Sequence, residues 1–273
     1  AYPGRVIDVG IAEAEAITSA AGMAFRGAHP VVALYATFLN RGFDQLLMDV
    51  ALHRAGVTVV LDRAGVTGTD GASHNGVWDI AMCSLIPTLR LAAPRDEETL
   101  RCRLREALDV DDAPTVIRYR KGSLPEPMPA LRTERGVDIL VDEAAPDSSA
   151  RVLIVGTGAC APDAIEAARR LTGDGVSVTV ADPQWLIPIS PDLASLAREY
   201  DCVVTVEDGI VQGGFGWSLR DAVADAGVPV RCLGVPQGFP EHGDRGEMIA
   251  LFGFDADGIE RAVREQLECL SAR

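Results

Sequence analysis

The most constraining feature of this chain is an alternation. Short runs of β-branched and aliphatic residues, each the length of one strand, are separated by longer stretches with apolar residues at helical spacing. The run Val57–Leu61 reads VTVVL, continuous rather than alternating, as in a strand buried on both faces. Strands parted by helical patterns need crossover connections, so they pair in parallel under two helical layers. The expected fold class is therefore α/β, in two domains. Each is a mostly parallel sheet with helices on both faces.

In the first half, strands are expected at Val6–Val9, Val31–Tyr35, Val57–Leu61, Leu89–Ala92 and Thr115–Tyr119. Helices are expected at 11–25, Phe43–Ala55 and Glu97–Leu108. Residues 122–149 are rich in Pro, Gly and acids and carry one short apolar run, Val137–Val141. That composition predicts a linker with a strand inside it. The second half offers strands at Val152–Val155, Val176–Val180, Cys202–Val206 and Val230–Leu233. Its helices fall at Pro162–Leu171, Asp192–Glu199, Gly216–Ala226 and Ile259–Leu270. The expected organisation is a domain over 1–122, a linker over 123–150 and a second domain over 151–273.

Charge narrows the partners. The 273 residues carry 40 Asp and Glu against 25 Lys and Arg, a net charge of −15. Such a surface repels phosphate backbones and anionic lipid, so neither nucleic acid nor a membrane is an expected partner. No apolar run approaches the ~18 residues of a membrane helix. The six cysteines are scattered without a CxxC pair, which argues against a zinc knuckle and fits a reducing cytoplasm. The chain opens on Ala1 without a charged-then-apolar leader, so no signal peptide is expected.

The densest polar patch is DRAGVTGTDGASHNG, residues 62–76. It follows a buried strand and so sits at the carboxyl end, where open α/β sheets place ligands. Its glycines let the backbone turn sharply, and Arg63, Asp70 and His74 supply an anion binder, an acceptor and a proton carrier. A long, well hydrogen-bonded loop meets the same description. Glu13 stands at a helix start, where an acid also simply complements the helix dipole. Tyr35-Ala-Thr-Phe-Leu-Asn-Arg41 again follows a strand; Phe38 there suits a core and Thr37 an N-cap. Arg118, Arg120 and Lys121 end another strand, a local basic excess or a solvated edge. EDGIVQGGFG (207–216) resembles a phosphate-cradling turn but lacks Rossmann spacing and a Walker lysine, so packing competes with anion binding there. His242 lies in a turn for which a structural use is expected.

Read in order, DVGIAE (8–13), YATFLNRGFDQ (35–45), DRAGVTGTDGASHNG (62–76), IPTLRLAAPRD (86–96), IRYRKG (117–122), DPQWLIPIS (182–190) and EDGIVQGGFG (207–216) resemble one family. This is the 1-deoxy-D-xylulose-5-phosphate synthase family of the transketolase superfamily, whose members use thiamine diphosphate. The resemblance is colinear and nearly end to end, but it covers only the family's pyrimidine-binding and C-terminal domains. It implies that the cofactor's diphosphate and Mg2+ are held by a part not present in this chain. The partner expected is that diphosphate-binding half, in a dimer or heterotetramer. The start also resembles a pyrimidine domain lacking its first helix and strand.

The resemblance assigns roles. Glu13 takes the place of the glutamate that hydrogen-bonds the aminopyrimidine ring. Phe38 stacks on that ring, and Ile11 lines the cofactor site. Tyr35, Arg63 and Lys121 meet the acceptor's phosphate, Lys121 as a point charge where some members have an arginine fork. Asp70 and His74 stand beside the reacting carbon, and Arg41 meets the pyruvate carboxylate. The implied reaction decarboxylates pyruvate and joins the two-carbon unit to glyceraldehyde 3-phosphate, toward isoprenoid precursors. One local departure matters. The family usually reads IAEQHA and this chain reads IAEAEA, so Ala14 and Glu15 replace Gln and His. That change leaves two alternatives open. One is a split transketolase-like subunit of specialised metabolism with another aldose acceptor; the other is a non-catalytic regulatory subunit.

Overall fold

The computed structural model describes every residue except Ala1, Pro3, Asp147, Ser149 and Arg273. Among the described residues the strands are β1 (Val31–Tyr35), β2 (Thr58–Asp62), β3 (Arg90–Ala92), β4 (Thr115–Arg118), β5 (Arg132–Glu134), β6 (Val137–Glu143), β7 (Arg151–Gly156), β8 (Ser177–Asp182), β9 (Trp185–Ile187), β10 (Cys202–Ile210) and β11 (Val230–Val235). The helices are α1 (Glu13–Ala24), α2 (Phe43–Gln45), α3 (Asp79–Cys83), α4 (Glu97–Leu108), α5 (Ala161–Gly173), α6 (Pro191–Ala197), α7 (Phe215–Ala222), α8 (Arg245–Phe252) and α9 (Ala256–Ser271). α2 runs on as a π-helical segment, Leu46–Ala51.

Two sheets result. The first has the order β1-β2-β4-β3-β9, parallel throughout except for β9. The second has the order β11-β10-β7-β8-β6-β5, with β10, β11, β7 and β8 parallel and β5–β6 an antiparallel hairpin at one edge. The expected class, α/β with two mostly parallel sheets, holds. Alternate residues of β7 show why its sequence is continuously apolar. Leu153 and Val155 pack in one core with Leu193 of α6 and Leu219 of α7. Val152 and Ile154 pack in another with Ala164 and Ala168 of α5 and Ile259 of α9. Each fully buried Leu, Ile or Val contributes roughly 1.5–3 kcal/mol, so neither face tolerates a polar residue. The first sheet is covered in the same way: Val59 and Leu61 pack with Ile17 of α1, while Ile117 packs with Ala107 and Leu100 of α4.

One expected strand is absent, and two features go beyond the expected organisation. Val6–Val9 is not a strand in the structure: its backbone has no ladder partner, and Val6 and Ile7 are 86% and 65% exposed. A β-branched run becomes a strand only where a neighbour takes its N–H and C=O groups. Residues 123–150 are more than a tether, because β5 and β6 inside them extend the second sheet and Asp138 of β6 binds Arg95 of the first half at 2.7 Å. Strand β9, from the second half, pairs with β3 in the first sheet, with Leu91 opposite Ile187. The second half therefore completes the edge of the first sheet. Buried Arg95 strengthens the junction by pairing also with Asp182 at 3.0 Å and donating to Met128 O at 2.9 Å.

Candidate active site

Three adjacent parallel strands, β1, β2 and β4, deliver the polar residues at their carboxyl ends. β1 ends at Tyr35 and passes into a 3-10 turn, Ala36–Arg41, that carries Thr37, Phe38 and Arg41. β2 ends at Asp62 and opens the loop 63–76. β4 ends at Arg118, with Lys121 just beyond. Glu13 is the first residue of α1. This is the place that open α/β sheets give to ligands.

The side chains make one continuous series of contacts. Glu13 Oε2 lies 3.7 Å from Arg41 Nη1. The Arg41 guanidinium sits 4.9 Å over the Phe38 ring. Phe38 stacks beside Tyr35 at 6.1 Å and meets the His74 ring edge-on at 5.7 Å. The Arg63 guanidinium covers Tyr35 at 4.1 Å and approaches Asp70 Oδ2 at 3.8 Å. Asp70 Oδ1 accepts from Lys121 Nζ at 2.6 Å. Eight of the residues singled out from sequence, Glu13, Tyr35, Phe38, Arg41, Arg63, Asp70, His74 and Lys121, thus stand in one cluster. Ile11 does not join them; it is 91% exposed.

The loop 62–76 is shaped by its own backbone. Gly65 and Gly76 exchange N–H···O bonds of 2.8 and 2.9 Å, which close its neck. A Cβ on Gly76 would lie 2.6 Å from Ala36 Cβ and 2.7 Å from Arg63 O, so only glycine fits. Arg63 itself has φ of 60°, a left-handed conformation that costs a non-glycine residue free energy and that the closed neck enforces. Asn75 is fully buried inside the loop. Its Oδ1 accepts from Thr67 N–H at 2.9 Å, and its Nδ2 donates to Gly71 O at 3.2 Å and to Pro240 O of the second half at 3.4 Å. Thr37 Oγ1 donates to Ser73 O at 2.8 Å, tying the loop to the β1 turn. Thr37 is therefore a loop anchor and no N-cap.

Electrostatically the cluster alternates in sign. The Lys121 ammonium bonded to Asp70, with Arg63 behind it, holds that carboxyl below the usual carboxylate range. Arg63 also reaches Asp62 at 3.6 Å. His74 Nδ1 shares a hydrogen with Ser73 Oγ at 3.0 Å. A nearby cavity of about 310 Å³, lined by Pro94, Leu100, Arg118, Arg120 and Leu124, contains none of these site residues.

Other sequence candidates take structural roles. Arg118 is no solvated edge: 2% exposed, it donates to Asp79 at 2.7 Å and to Asp208 at 2.6 Å, across the two halves. At the glycine turn, Glu207 accepts from Phe215 N–H and Gly216 N–H at 2.9 and 2.8 Å and Gly214 N–H donates to Val211 O at 3.2 Å, so these three amides are taken up by the chain itself. Burial pushes the Glu207 carboxyl up to about 7, against the pull of those two amides. Sequence reasoning passed over Asn75 and Arg245, whose roles depend on contacts between residues about 170 positions apart. The only sequence signal for Asn75 was its place inside the polar motif.

The fold and site define a class. The family profile described as "Transketolase, pyrimidine binding domain" matches residues 2–127, and "Transketolase, C-terminal domain" matches residues 144–259. Together they account for most of the chain, which belongs to the transketolase family and carries these two of its domains. Within that family it is similar to 1-deoxy-D-xylulose-5-phosphate synthases. It is 52% identical to the synthase of Corynebacterium glutamicum (strain R), over 98% of this chain and 43% of that protein. It is 54% identical to 1-deoxy-D-xylulose-5-phosphate synthase 2 of Kitasatospora griseola, over 96% of this chain and 42% of that protein. The chain thus spans less than half the length of these relatives. A solved structure described as "Split gene transketolase, inactive beta4 tetramer" superposes with a TM-score of 0.82 at 28% identity, covering 98% of this chain and 85% of that one.

Proposed function

We propose that this chain is the pyrimidine-binding and C-terminal portion of a thiamine-diphosphate enzyme of the 1-deoxy-D-xylulose-5-phosphate synthase type. The enzyme decarboxylates pyruvate and condenses the two-carbon unit with glyceraldehyde 3-phosphate, supplying isoprenoid precursors in the cytoplasm. One observation carries the reading: a planar, nitrogen-bearing cation, the Arg41 guanidinium, lies over Phe38 and faces the Glu13 carboxylate. An aromatic face and a carboxylate that together hold a flat guanidinium also suit a flat aminopyrimidine. The residues present therefore fit the pyrimidine end of the cofactor. The diphosphate and Mg2+ are assigned to a partner half, with the working enzyme a dimer or heterotetramer.

When bound, the cofactor would supply a carbon nucleophile for the keto carbon of pyruvate and an electron sink for the pair left when the bond to the departing CO2 breaks. Glu13 holds a proton at the pyrimidine ring nitrogen, for which Arg41 must release it. Arg41, once free, faces the pyruvate carboxylate. Phe38 orients the ring. Arg63 and Lys121 meet the acceptor's phosphate, with Tyr35 under Arg63 fixing its plane. His74, beside the Phe38 edge, moves a proton to or from the acceptor's carbonyl oxygen, and Asp70 keeps the Arg63–Lys121 pair in register.

Glu13→Gln tests this in the assembled enzyme. The substitution keeps the shape and removes the proton-sharing carboxyl, so exchange of the cofactor's thiazolium proton falls by about 10²–10⁴-fold, the usual span of one acid–base group. Exchange at the wild-type rate makes Glu13 only a helix-start acid. A second reading, a split transketolase-like subunit with another aldose acceptor, is favoured by one feature. Glu15, in place of the family's His, is exposed on the first turn of α1, two positions after Glu13. Turnover with a different aldose, and none with glyceraldehyde 3-phosphate, selects it.

A further inference from the structure

The loop that carries Asp70 and His74 is seated on the other half of the chain. Between its Gly65–Gly76 neck it holds only a short 3-10 turn, Ala72–His74, so regular secondary structure does little to fix it. Its outer wall rests on residues 240–245. Arg245 Nε donates to Val66 O at 3.2 Å, and Gly243 N–H points at Gly68 O at 3.5 Å. Gly68 has φ of +77°, and a Cβ there would lie 3.0 Å from both Arg245 N and Gly243 O, so the two segments touch backbone to backbone. Pro240 O accepts from buried Asn75.

The seat is itself fixed. Asp244 caps α8 by accepting from Gly246 N–H at 2.7 Å, which sets the direction in which Arg245 leaves the helix. The far end of Arg245, Nη2, faces Asp208 Oδ2 at 3.8 Å, and Asp208 is held by Arg118 of β4. That strand also delivers Lys121. Arg245 therefore touches both the loop bearing Asp70 and His74 and the ion pair behind the strand bearing Lys121.

We infer that Arg245 is a positioning residue: from the C-terminal domain it sets where the 66–75 loop stands, and with it the acceptor-side groups Asp70 and His74. The inference rests on the acceptor site proposed above. It gives the C-terminal domain, which places no side chain in the cluster, a role in acceptor use. Glu13 stands on α1, outside the 66–75 loop, which reaches the Phe38 turn through the His74–Phe38 and Thr37–Ser73 contacts, so the exchange that Glu13 supports is the readout a shifted loop changes least.

Two substitutions separate positioning from mere stability. Arg245→Met removes the donor and the charge. Arg245→Gln removes the charge but puts an amide nitrogen where Nε stands, keeping the bond to Val66 O. In this chain assembled with its diphosphate-binding half, Arg245→Met speeds amide exchange across 66–75 by about tenfold. It raises the acceptor KM by a similar factor, equivalent to one lost hydrogen bond. The thiazolium proton exchange stays near the wild-type rate, and Arg245→Gln restores both altered quantities. Gly68→Ala, which pushes the loop off the same seat from its own side, reproduces the Met phenotype and serves if Arg245→Met does not fold. Unchanged exchange across 66–75 in Arg245→Met and Gly68→Ala overturns the inference. So does an Arg245→Gln variant as defective as Arg245→Met. Faster exchange across 66–75 in a protein whose wild type uses no acceptor supports the seat and sinks the synthase reading instead.

Discussion

Arg63 and Lys121 share a single carboxylate, and that sharing sets their chemistry. Asp70 accepts from Lys121 and attracts Arg63, so neither cation is fully available until an anion competes for it. A phosphate brings more charge and more acceptor oxygens than Asp70, and each charged contact contributes ~1.5–3 kcal/mol. Arg63→Ala or Lys121→Ala is therefore expected to raise the acceptor KM about ten- to a hundredfold. The KM for pyruvate, which carries no phosphate, changes far less. Steady-state kinetics with glyceraldehyde 3-phosphate against glyceraldehyde give the check: the variants narrow the preference for the phosphorylated aldehyde. Equal losses with both aldehydes mean that the two residues support the loop and do not read a phosphate.

At the scale of elements, α7 starts on a buried carboxylate. Glu207 accepts from the amides of Phe215 and Gly216, yet desolvation lifts its carboxyl from the ordinary 4.5 to about 7. A folded-state value above the unfolded one means that the folded chain keeps a proton which the unfolded chain has released. This contribution to stability is complete below about 4.5 and is lost as the pH rises toward 7. Glu207→Gln abolishes the titration and flattens the denaturation midpoint between pH 5 and 7. It also lowers the midpoint throughout, because the amide faces one of the two N–H groups with a donor, leaving that group unpaired at about 1–3 kcal/mol. Urea titrations at pH 5, 6 and 7 compare the two proteins; parallel profiles mean that Glu207 does not titrate in this window. The same element shows where sequence reading stops. The run EDGIVQGGFG signalled a turn before a helix, and both are present, but whether its amides face a ligand or a glutamate is decided by how β10 folds back over them. Likewise α4 was legible to its ends, because Asp96 and Thr99 form a capping box. Val6–Val9 was misread because strand propensity says nothing about whether a partner strand is at hand. Strand β9 and helix α8 were missed for a related reason: their runs are short, and tertiary contacts decide them.

The whole molecule places the candidate site on one domain, against contacts from the other. Arg118 and Arg95, both buried, each bind carboxylates contributed by the second half, and β9 completes the first sheet. The candidate residues stand together because their motifs lie at strand ends, where chain order and spatial neighbourhood coincide. The contacts from the second half were not legible in the sequence, because Arg245 and Val66 meet only through the packing of two sheets. Within this cluster the proposed reading gives the cofactor's ring to Glu13 and Phe38 and the acceptor's phosphate to the basic pair Arg63 and Lys121. Among the described residues there is no group of three or more His, Cys, Asp or Glu arranged to hold a metal ion. The proposed reading assigns the cofactor's diphosphate and Mg2+ to a diphosphate-binding half. Isothermal calorimetry of thiamine diphosphate with Mg2+ tests this directly, using residues 1–273 alone and then with the diphosphate-binding half added. The expected result is no binding tighter than about 1 mM, some −4.1 kcal/mol, for the chain alone, and micromolar binding on assembly that Glu13→Ala weakens. Micromolar, Mg2+-dependent binding by residues 1–273 alone would contradict the account.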